Sequence, residues 1–361
     1  MNSIRFGIIG SGWRAECFLQ VARLLPDRFE ICGLVSRRAE KRVELAQKWG
    51  IPVFASSTEL LTTRPDFVVA AVAKEAGAAV IKAMVAQGVP ILAETPPAND
   101  LAGLVDLYRS VGPQAKVQIA EQYFLQPMHQ ARLAVAHSGK FGAIHYAHVS
   151  ISQGYHAISL MRKALGVGFE NPTIQATTFE MPGIEGPGRA GLPEREQIVR
   201  NPHTLAVLNY ASKVGLFDFE KNQHRSWARS QRFLIRGIRG EVNHDTVKYL
   251  ADYRTPIQFE LLRQHAGEDG NLEGYHLKGI LGGTEWVYQN PFAPARLSDE
   301  EIALAASLMR MKQYTIDGTE LYSLAEACQD QYLALLIDQA CERGLTLQAV
   351  SQIWAHSEDL R

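Results

Sequence analysis

Few features of this chain are extreme, and what is missing narrows its chemistry first. Its 361 residues include four cysteines, Cys17, Cys32, Cys328 and Cys341, with no C-x-x-C spacing. That pattern offers neither a disulfide framework nor the paired thiolates of a structural zinc site, so no metal is expected. The cysteines read as reduced packing residues of a cytoplasmic protein. Neither sign of charge is in excess, since 37 Lys and Arg against 38 Asp and Glu leave a formal net charge of -1. Without a global basic field, neither nucleic acid nor an anionic membrane surface is an expected partner. Long apolar runs are also lacking. The most apolar stretch, 67–92, is interrupted by Lys74, Glu75 and Lys82, and no membrane span is expected. Strand-like residues begin almost at once, which leaves no room for a cleavable signal segment. Repeats and low-complexity tails are absent, and the length exceeds one ordinary core, so two domains are expected.

What is present begins at Ile4. An Ile-rich apolar run ends in Gly10-Ser11-Gly12-Trp13-Arg14-Ala15, and helical apolar spacing follows from Glu16 to Leu25. Strand, tight glycine turn and helix in that order form a dinucleotide-binding fingerprint. Gly10 makes the sharp turn, Gly12 lets backbone approach a pyrophosphate, and Ala15 lets the helix lie on the strand. The N–H groups of the first helical turn then face the anion.

Strands and helices alternate from there. The pattern predicts strands at Phe29–Ser36, Pro52–Ala55, Asp66–Ala71, Val89–Ala93 and Lys116–Ala120, with helices at Ala39–Trp49, Ala76–Gln87 and Asn99–Val111. This is the signature of a doubly wound parallel sheet, placed in residues 1–121, with 122–361 forming a second domain. At the end of the second strand an NAD-binding fold wants a carboxylate for the adenosine ribose. Here Ser36-Arg37-Arg38 stands instead, a small hydroxyl followed by two guanidinium groups, which suits a 2′-phosphate. NADP is therefore the expected cofactor, with NAD as the alternative.

The stretch Ile91-Leu92-Ala93-Glu94-Thr95-Pro96-Pro97, the later Gly154-Tyr155-His156-Ala157-Ile158-Ser159-Leu160, and the segments Phe124–Pro127, Ser138–Gly142 and Ile235–Gly240 extend the pattern begun at Gly10. Together they resemble the glucose-fructose oxidoreductase, inositol dehydrogenase and MocA (Gfo/Idh/MocA) family over most of the chain. The resemblance implies an α/β architecture: a Rossmann domain, then an α+β domain with an open, mainly antiparallel sheet. One face of that sheet binds substrate against the nicotinamide, and the other commonly makes a homodimer or homotetramer. It also exposes departures. The family's strand-end Glu-Lys-Pro lysine is Thr95 here, its aspartate four residues before the histidine is Ser152, its Thr-Pro-Asn turn is Val72-Ala73-Lys74, and a histidine expected a few residues on is Gly77.

Oxidation of an alcohol needs a group to accept its proton. Among residues at the family's catalytic positions, only His156 titrates near neutrality. Tyr123, in the crossover between domains, is a second candidate if a cation lowers its pKa. Tyr155 is set aside because neighbouring residues on a strand point to opposite faces. The expected cofactor-binding residues are Gly10, Ser11, Gly12, Trp13, Arg14, Ser36, Arg37, Arg38, Val72, Lys74, Glu94, Thr95 and Gln122, with Lys74 placed in a loop after the fourth strand.

Residues 221–232 read as strand, turn and strand, with Arg225, Trp227 and Arg229 on one face, suited to an anionic or sugar-like ligand. Pro182 to Pro193 and His265 to Asn271 read as loops, and Asp299–Tyr314 and Ser323–Arg343 as helices. The leading expectation is an NADP-preferring oxidoreductase acting on a small polyol, sugar or related hydroxy or keto compound. The alternatives are a cofactor-binding partner subunit without redox turnover, and a lyase or glycosidase assisted by a nicotinamide.

Overall fold

The computed structural model describes residues 3–188, 191–267, 271 and 274–355. The first sheet is built from β1 (Ile4–Ile9), β2 (Phe29–Val35), β3 (Val53–Phe54), β4 (Phe67–Ala70), β5 (Ile91–Ala93) and β6 (Val117–Ile119). Between them run α1 (Trp13–Leu24), α2 (Ala39–Trp49), α3 (Ser57–Leu61), α4 (Lys74–Ala86) and α5 (Leu101–Val111). All strand pairs are parallel, in the order β3-β2-β1-β4-β5-β6. That order reverses between β1 and β4, which opens a crevice beyond their carboxyl ends where ligands of such sheets bind. Strands covered on both faces should be continuously apolar, and β4 and β5 are buried at every residue. Phe6 lies stacked on Phe67, with their ring centroids 5.8 Å apart, and edge-on to Phe29, tying β1, β2 and β4 together.

After α6 (Pro127–Ala136) the chain enters β7 (Ile144–Ser150), α7 (Gly154–Leu165), β8 (Thr173–Ile184), β9 (Ile198–Asn209) and β10 (Val214–Glu220). Then come β11 (Arg232–Gly237), β12 (Gly240–Asn243), β13 (Thr246–Leu250), β14 (Pro256–Ala266), β15 (His276–Gly282), β16 (Glu285–Gln289), α8 (Asp299–Asp317), α9 (Leu324–Arg343) and β17 (Leu347–Gln348). The eleven strands form one open sheet in the order β16-β15-β14-β13-β12-β11-β7-β10-β9-β8-β17, antiparallel except for β7 with β10. Alternation along the strands sends Ala147, Val149, Ala206, Leu208 and Phe217 into the core shared with the helices. The opposite face carries Phe179, Val207 and Leu262, each more than a third exposed.

Two long helices bring the domains together. Ser298 caps α8 with a reciprocal Glu301 bond, and Ser323 accepts the Glu326 amide at the start of α9. The side chain of Gln118 in β6 accepts the backbone N–H groups of Leu321 and Tyr322, both at 2.8 Å, just before α9. Behind α7, Arg162 donates to Asp330 of α9 at 2.6 Å, and the Tyr322 hydroxyl donates to the other carboxylate oxygen. No helix among the described residues is long and apolar enough to cross a membrane.

Several local expectations are corrected. Lys74 opens helix α4 instead of lying in a loop. Tyr155 and His156 lie on helix α7, not on a strand, so it is helical rotation that sends them apart. Residues 221–231 hold a short 3-10 turn at Gln223–Arg225 and a loop, with β11 starting only at Arg232, so Arg225, Trp227 and Arg229 share no strand face. Pro182 and Gly183 continue β8 opposite Arg200 and Val199. β17 pairs β8 only at Thr173 and Ile174, so Pro182 sits where β8 is a sheet edge and its missing N–H is tolerated. His265 and Ala266 belong to β14, paired with Leu277 and His276; residues 268–270 of the expected loop lie outside the described residues.

Candidate active site

The glycine turn sits at the strand-order reversal. Gly10 has φ +120, and a Cβ there would come 2.1 Å from the Ala71 carbonyl oxygen, so glycine is required by both conformation and space. Gly12 is different: a Cβ there meets nothing within 4 Å, and open space lies before its backbone. Gly12 is also the N-cap of α1, so no side chain closes the helix end. Ser11 Oγ lies 3.1 Å from Ser36 Oγ, joining the turn to the end of β2.

Beyond Ser36, which is buried, Arg37 and Arg38 are exposed at the mouth of α2. A third guanidinium, Arg42, donates to the Ser36 and Arg37 carbonyls at 3.2 and 3.0 Å and braces the loop. Val72 follows Ala71 directly and is half-buried, while Lys74 is exposed at the head of α4. The bond from Thr95 to Pro96 is cis.

Trp13 and Arg14 start α1 with the Arg14 guanidinium 5.6 Å from the Trp13 ring. Arg14 is tied down on both sides, by Glu94 after β5 at 2.9 Å and by Glu300 of α8 at 2.6 Å. It therefore joins the turn to the second domain. Burial works against the Arg14 charge, but its two carboxylates outweigh burial and hold it above the usual arginine range. Burial pushes the Glu94 carboxyl up, with Arg14 and then His156 opposing that rise.

His156 projects from the first turn of α7 toward the crossover that leaves β6. Its Nδ1 is 2.6 Å from Glu121 Oε2, and Glu121 is fully buried. The other Glu121 oxygen accepts the Tyr123 backbone N–H at 3.0 Å. Tyr123 lies against the imidazole, with centroids 4.5 Å apart and planes at 31°. The phenol is not activated, contrary to the condition set for it. Burial raises its pKa, the Ser152 hydroxyl opposes this by hydrogen bonding, and Arg14 lowers it only slightly. Tyr123 thus stays a neutral hydroxyl donor near pH 7. Gln122, between these two residues, is buried, and its side-chain oxygen has no hydrogen-bond partner among the described residues. Tyr155, next to His156, is buried in the second domain with its phenol held well above the usual range by burial and by Asp330.

Where the family resemblance implies an aspartate on the histidine, the carboxylate that meets His156 here is Glu121, which sequence reading passed over. Glu121 comes from the end of β6, not from four residues before the histidine. His224 was also missed as a neighbour of this centre: it stacks on Phe219 with centroids 6.0 Å apart, and its pKa is lowered by burial, then by Arg225 and His156. The rest of the 221–232 cluster faces elsewhere. Gln223 pins the loop to Ser150, Arg229 pairs with Glu220 at 2.7 Å, and Trp227 is 84% exposed.

The first domain is thus a doubly wound sheet with an uncapped glycine turn, and a part-buried histidine–carboxylate pair joins the chain leaving β6 to α7 of the second domain. Residues 4–122 match the GFO_IDH_MocA family model, described as an oxidoreductase family with an NAD-binding Rossmann fold. The family match therefore spans the first domain, about a third of the chain. Solved structures share the whole fold. An oxidoreductase from Agrobacterium radiobacter in complex with NAD+, L-tartaric acid and magnesium superposes with TM-score 0.67 at 16% identity, covering 96% of this chain and 98% of that one. A myo-inositol dehydrogenase from Corynebacterium glutamicum gives 0.65 at 14%, covering 97% and 100%. A levoglucosan dehydrogenase in complex with NADH and levoglucosan gives 0.67 at 16%, covering 96% and 100%. No curated protein matches the chain.

Proposed function

We propose that this protein is an NADP-preferring oxidoreductase that acts between a CH–OH group and a carbonyl of a small polyol, sugar or related compound, with His156 handling the proton. The observation that carries this reading is the part-buried Glu121–His156 pair, 2.6 Å apart, where the chain leaving β6 meets the first turn of α7.

The residues present fit a nicotinamide dinucleotide. Gly12 has the open space and the uncapped helix end that a pyrophosphate requires, and Gln122 Oε1 is a buried acceptor still without a donor. Gly10, Ser11, Gly12, Trp13 and Arg14 would hold the pyrophosphate end, and Ser36, Arg37 and Arg38 the adenosine 2′-phosphate. Val72, Lys74, Glu94, Thr95 and Gln122 would line the nicotinamide half. When bound, the cofactor supplies two-electron oxidation or reduction of one substrate carbon. His156 accepts the hydroxyl proton at Nε2 as the carbonyl forms, and returns it in the reverse direction. Tyr123, kept neutral by burial, donates a hydrogen bond toward the same oxygen. Arg14, held by Glu94 and Glu300, fixes the crevice floor against the second domain. A homodimer or homotetramer through the open sheet face is part of the same proposal, supported by the exposed Phe179, Val207 and Leu262.

The test is to titrate NADPH and NADH against tryptophan fluorescence, then follow nicotinamide absorbance over a panel of polyols, sugars and keto sugars. Turnover by the wild type, lost about 10²- to 10⁴-fold in His156→Asn with cofactor affinity intact, supports the proposal. Binding without turnover on any compound would favour a partner subunit, and product without net cofactor change a lyase or glycosidase.

A further inference from the structure

Glu121 and His156 lie on different elements, 35 residues apart, and meet at 2.6 Å. Each carboxylate oxygen has its own donor: Oε1 takes the Tyr123 backbone N–H, and Oε2 faces the imidazole. Glu121 is fully buried, while His156 is 17% exposed and its Nε2 has no hydrogen-bond partner among the described residues. A carboxylate only accepts, so the imidazole must present Nδ1–H to it, which leaves the Nε2 lone pair for chemistry. The same contact stabilises the imidazolium once Nε2 has taken a proton.

We propose that Glu121 is the positioning residue for His156, selecting the Nδ1–H tautomer and directing Nε2 at the substrate hydroxyl, in the role that Ser152 leaves unfilled. This rests on the oxidoreductase reading for its chemistry, but the tautomer is a property of the free chain. The Tyr123 amide makes the arrangement self-checking. Tyr123 N–H already occupies Oε1, so the backbone residue that holds the carboxylate is also the one whose ring covers the imidazole at 4.5 Å. Glu121→Gln keeps the shape but has one acceptor oxygen. That oxygen is needed by the Tyr123 N–H, so the amide NH₂ is turned to Nδ1. The imidazole must then accept at Nδ1 and carry its proton on Nε2, where it no longer serves as a base. Glu121→Asp keeps the charge with one methylene less, and so restores the tautomer with a longer contact.

The experiment is histidine ¹⁵N NMR of the full-length chain without added cofactor, with His156 assigned from His156→Gln. The expected spectrum shows the Nδ1–H tautomer in the wild type and in Glu121→Asp, and the Nε2–H tautomer in Glu121→Gln. Ser152→Ala should leave the wild-type tautomer unchanged. A wild-type Nε2–H tautomer, or a Glu121→Gln spectrum identical to wild type, overturns the proposal, the first without any variant having to fold. On a substrate that turns over, Glu121→Gln should lower kcat about 10²-fold or more with KM changed less than about threefold, and Glu121→Asp should recover most of kcat. Glu121→Gln combined with His156→Gln should be no slower than His156→Gln alone. If no panel compound turns over while the tautomers behave as stated, the oxidoreductase reading fails and the Glu121 assignment stands.

Discussion

Replacing Arg37 and Arg38 together by alanine isolates the cofactor preference. Both side chains are exposed at the mouth of α2, and no carboxylate ends β2; Arg42 is engaged with the Ser36 and Arg37 carbonyls at 3.2 and 3.0 Å and stays in the variant. A hydrogen bond to a charged group contributes about 1.5–3 kcal/mol when shielded, and exposed ion pairs contribute about 1 kcal/mol or less. Two exposed guanidinium groups on one 2′-phosphate should together contribute about 2–3 kcal/mol, which at 1.4 kcal/mol per decade is about 30- to 150-fold in Kd. The double variant should therefore lose that factor for NADPH and change NADH affinity less than about threefold. The wild-type preference should shrink as salt rises, because the screening length falls from about 10 Å at 0.1 M to about 3 Å at 1 M. Fluorescence titration reads both, since the exposed Trp13 stands at the head of α1, beside the glycine turn. The reciprocal change, Ser36→Asp, should move the preference toward NADH. The reasoning is refuted if wild type binds NADH as tightly as NADPH, or if the double variant keeps its NADPH to NADH ratio.

Three further outcomes follow from particular contacts. Gly10→Ala should destabilise the first domain by about 1–3 kcal/mol or more through its positive φ and the Ala71 carbonyl, whereas Gly12→Ala should melt like wild type and still bind NADPH poorly; equal melting of the two variants would contradict the packing. Asp330→Asn removes the nearest carboxylate from the buried Arg162, leaving only Glu326 at 4.0 Å, and should cost about 3 kcal/mol in urea unfolding, with much of it regained in Arg162→Met combined with Asp330→Leu; an unchanged midpoint for the single variant refutes this. Asp218 is held at a pKa of about 2 by the His148 imidazole, 3.3 Å away, and then by the hydrogen-bonded His203 imidazole, against burial. A folded pKa below the unfolded value gives stability that is complete above about pH 4 and lost as pH falls from 4 toward 2. Asp218→Asn should remove about 1–2 kcal/mol at pH 6 and flatten acid unfolding in that window, and an acid limb of unchanged steepness would refute the assignment.

The first domain was legible because its signals are local. Continuous apolar runs, Gly50 closing α2 and the Gly10–Gly12 spacing all act within a few residues, and they give the strands to within two residues and the longer helices to within three, while the short α3 was not foreseen. The 221–232 segment misled because alternating polar and aromatic residues imitate a strand, whereas the positive φ of Asn222 and the Gln223 side chain on Ser150 fold it into a turn. Helix α7 was misread at its start because Gly154 and the aromatic Tyr155 and His156 are weak helix formers, and packing against β7 and α9 decides the matter.

The site divides along the same line. The proposed cofactor half rests on local motifs, but the proposed proton-handling half is made by tertiary contact, and no spacing rule joins Glu121 to His156. One signal was available: Glu121 directly follows Ala120 at the carboxyl end of a parallel strand, where groups of a doubly wound sheet converge on the ligand. A buried carboxylate in that place needs a donor, and with Thr95 in the lysine position the nearest one is the imidazole of the second domain. On the proposed assignment, the carboxylate that orients His156 comes from the first domain in place of an upstream aspartate. Ring orientation then depends on the two domains meeting correctly, so the Arg14 link to Glu300 bears on the proton as well as on the cofactor. Glu300→Ala should lower kcat without changing the His156 tautomer if it acts only through domain placement, and a shifted tautomer in that variant would show that the junction itself sets the histidine.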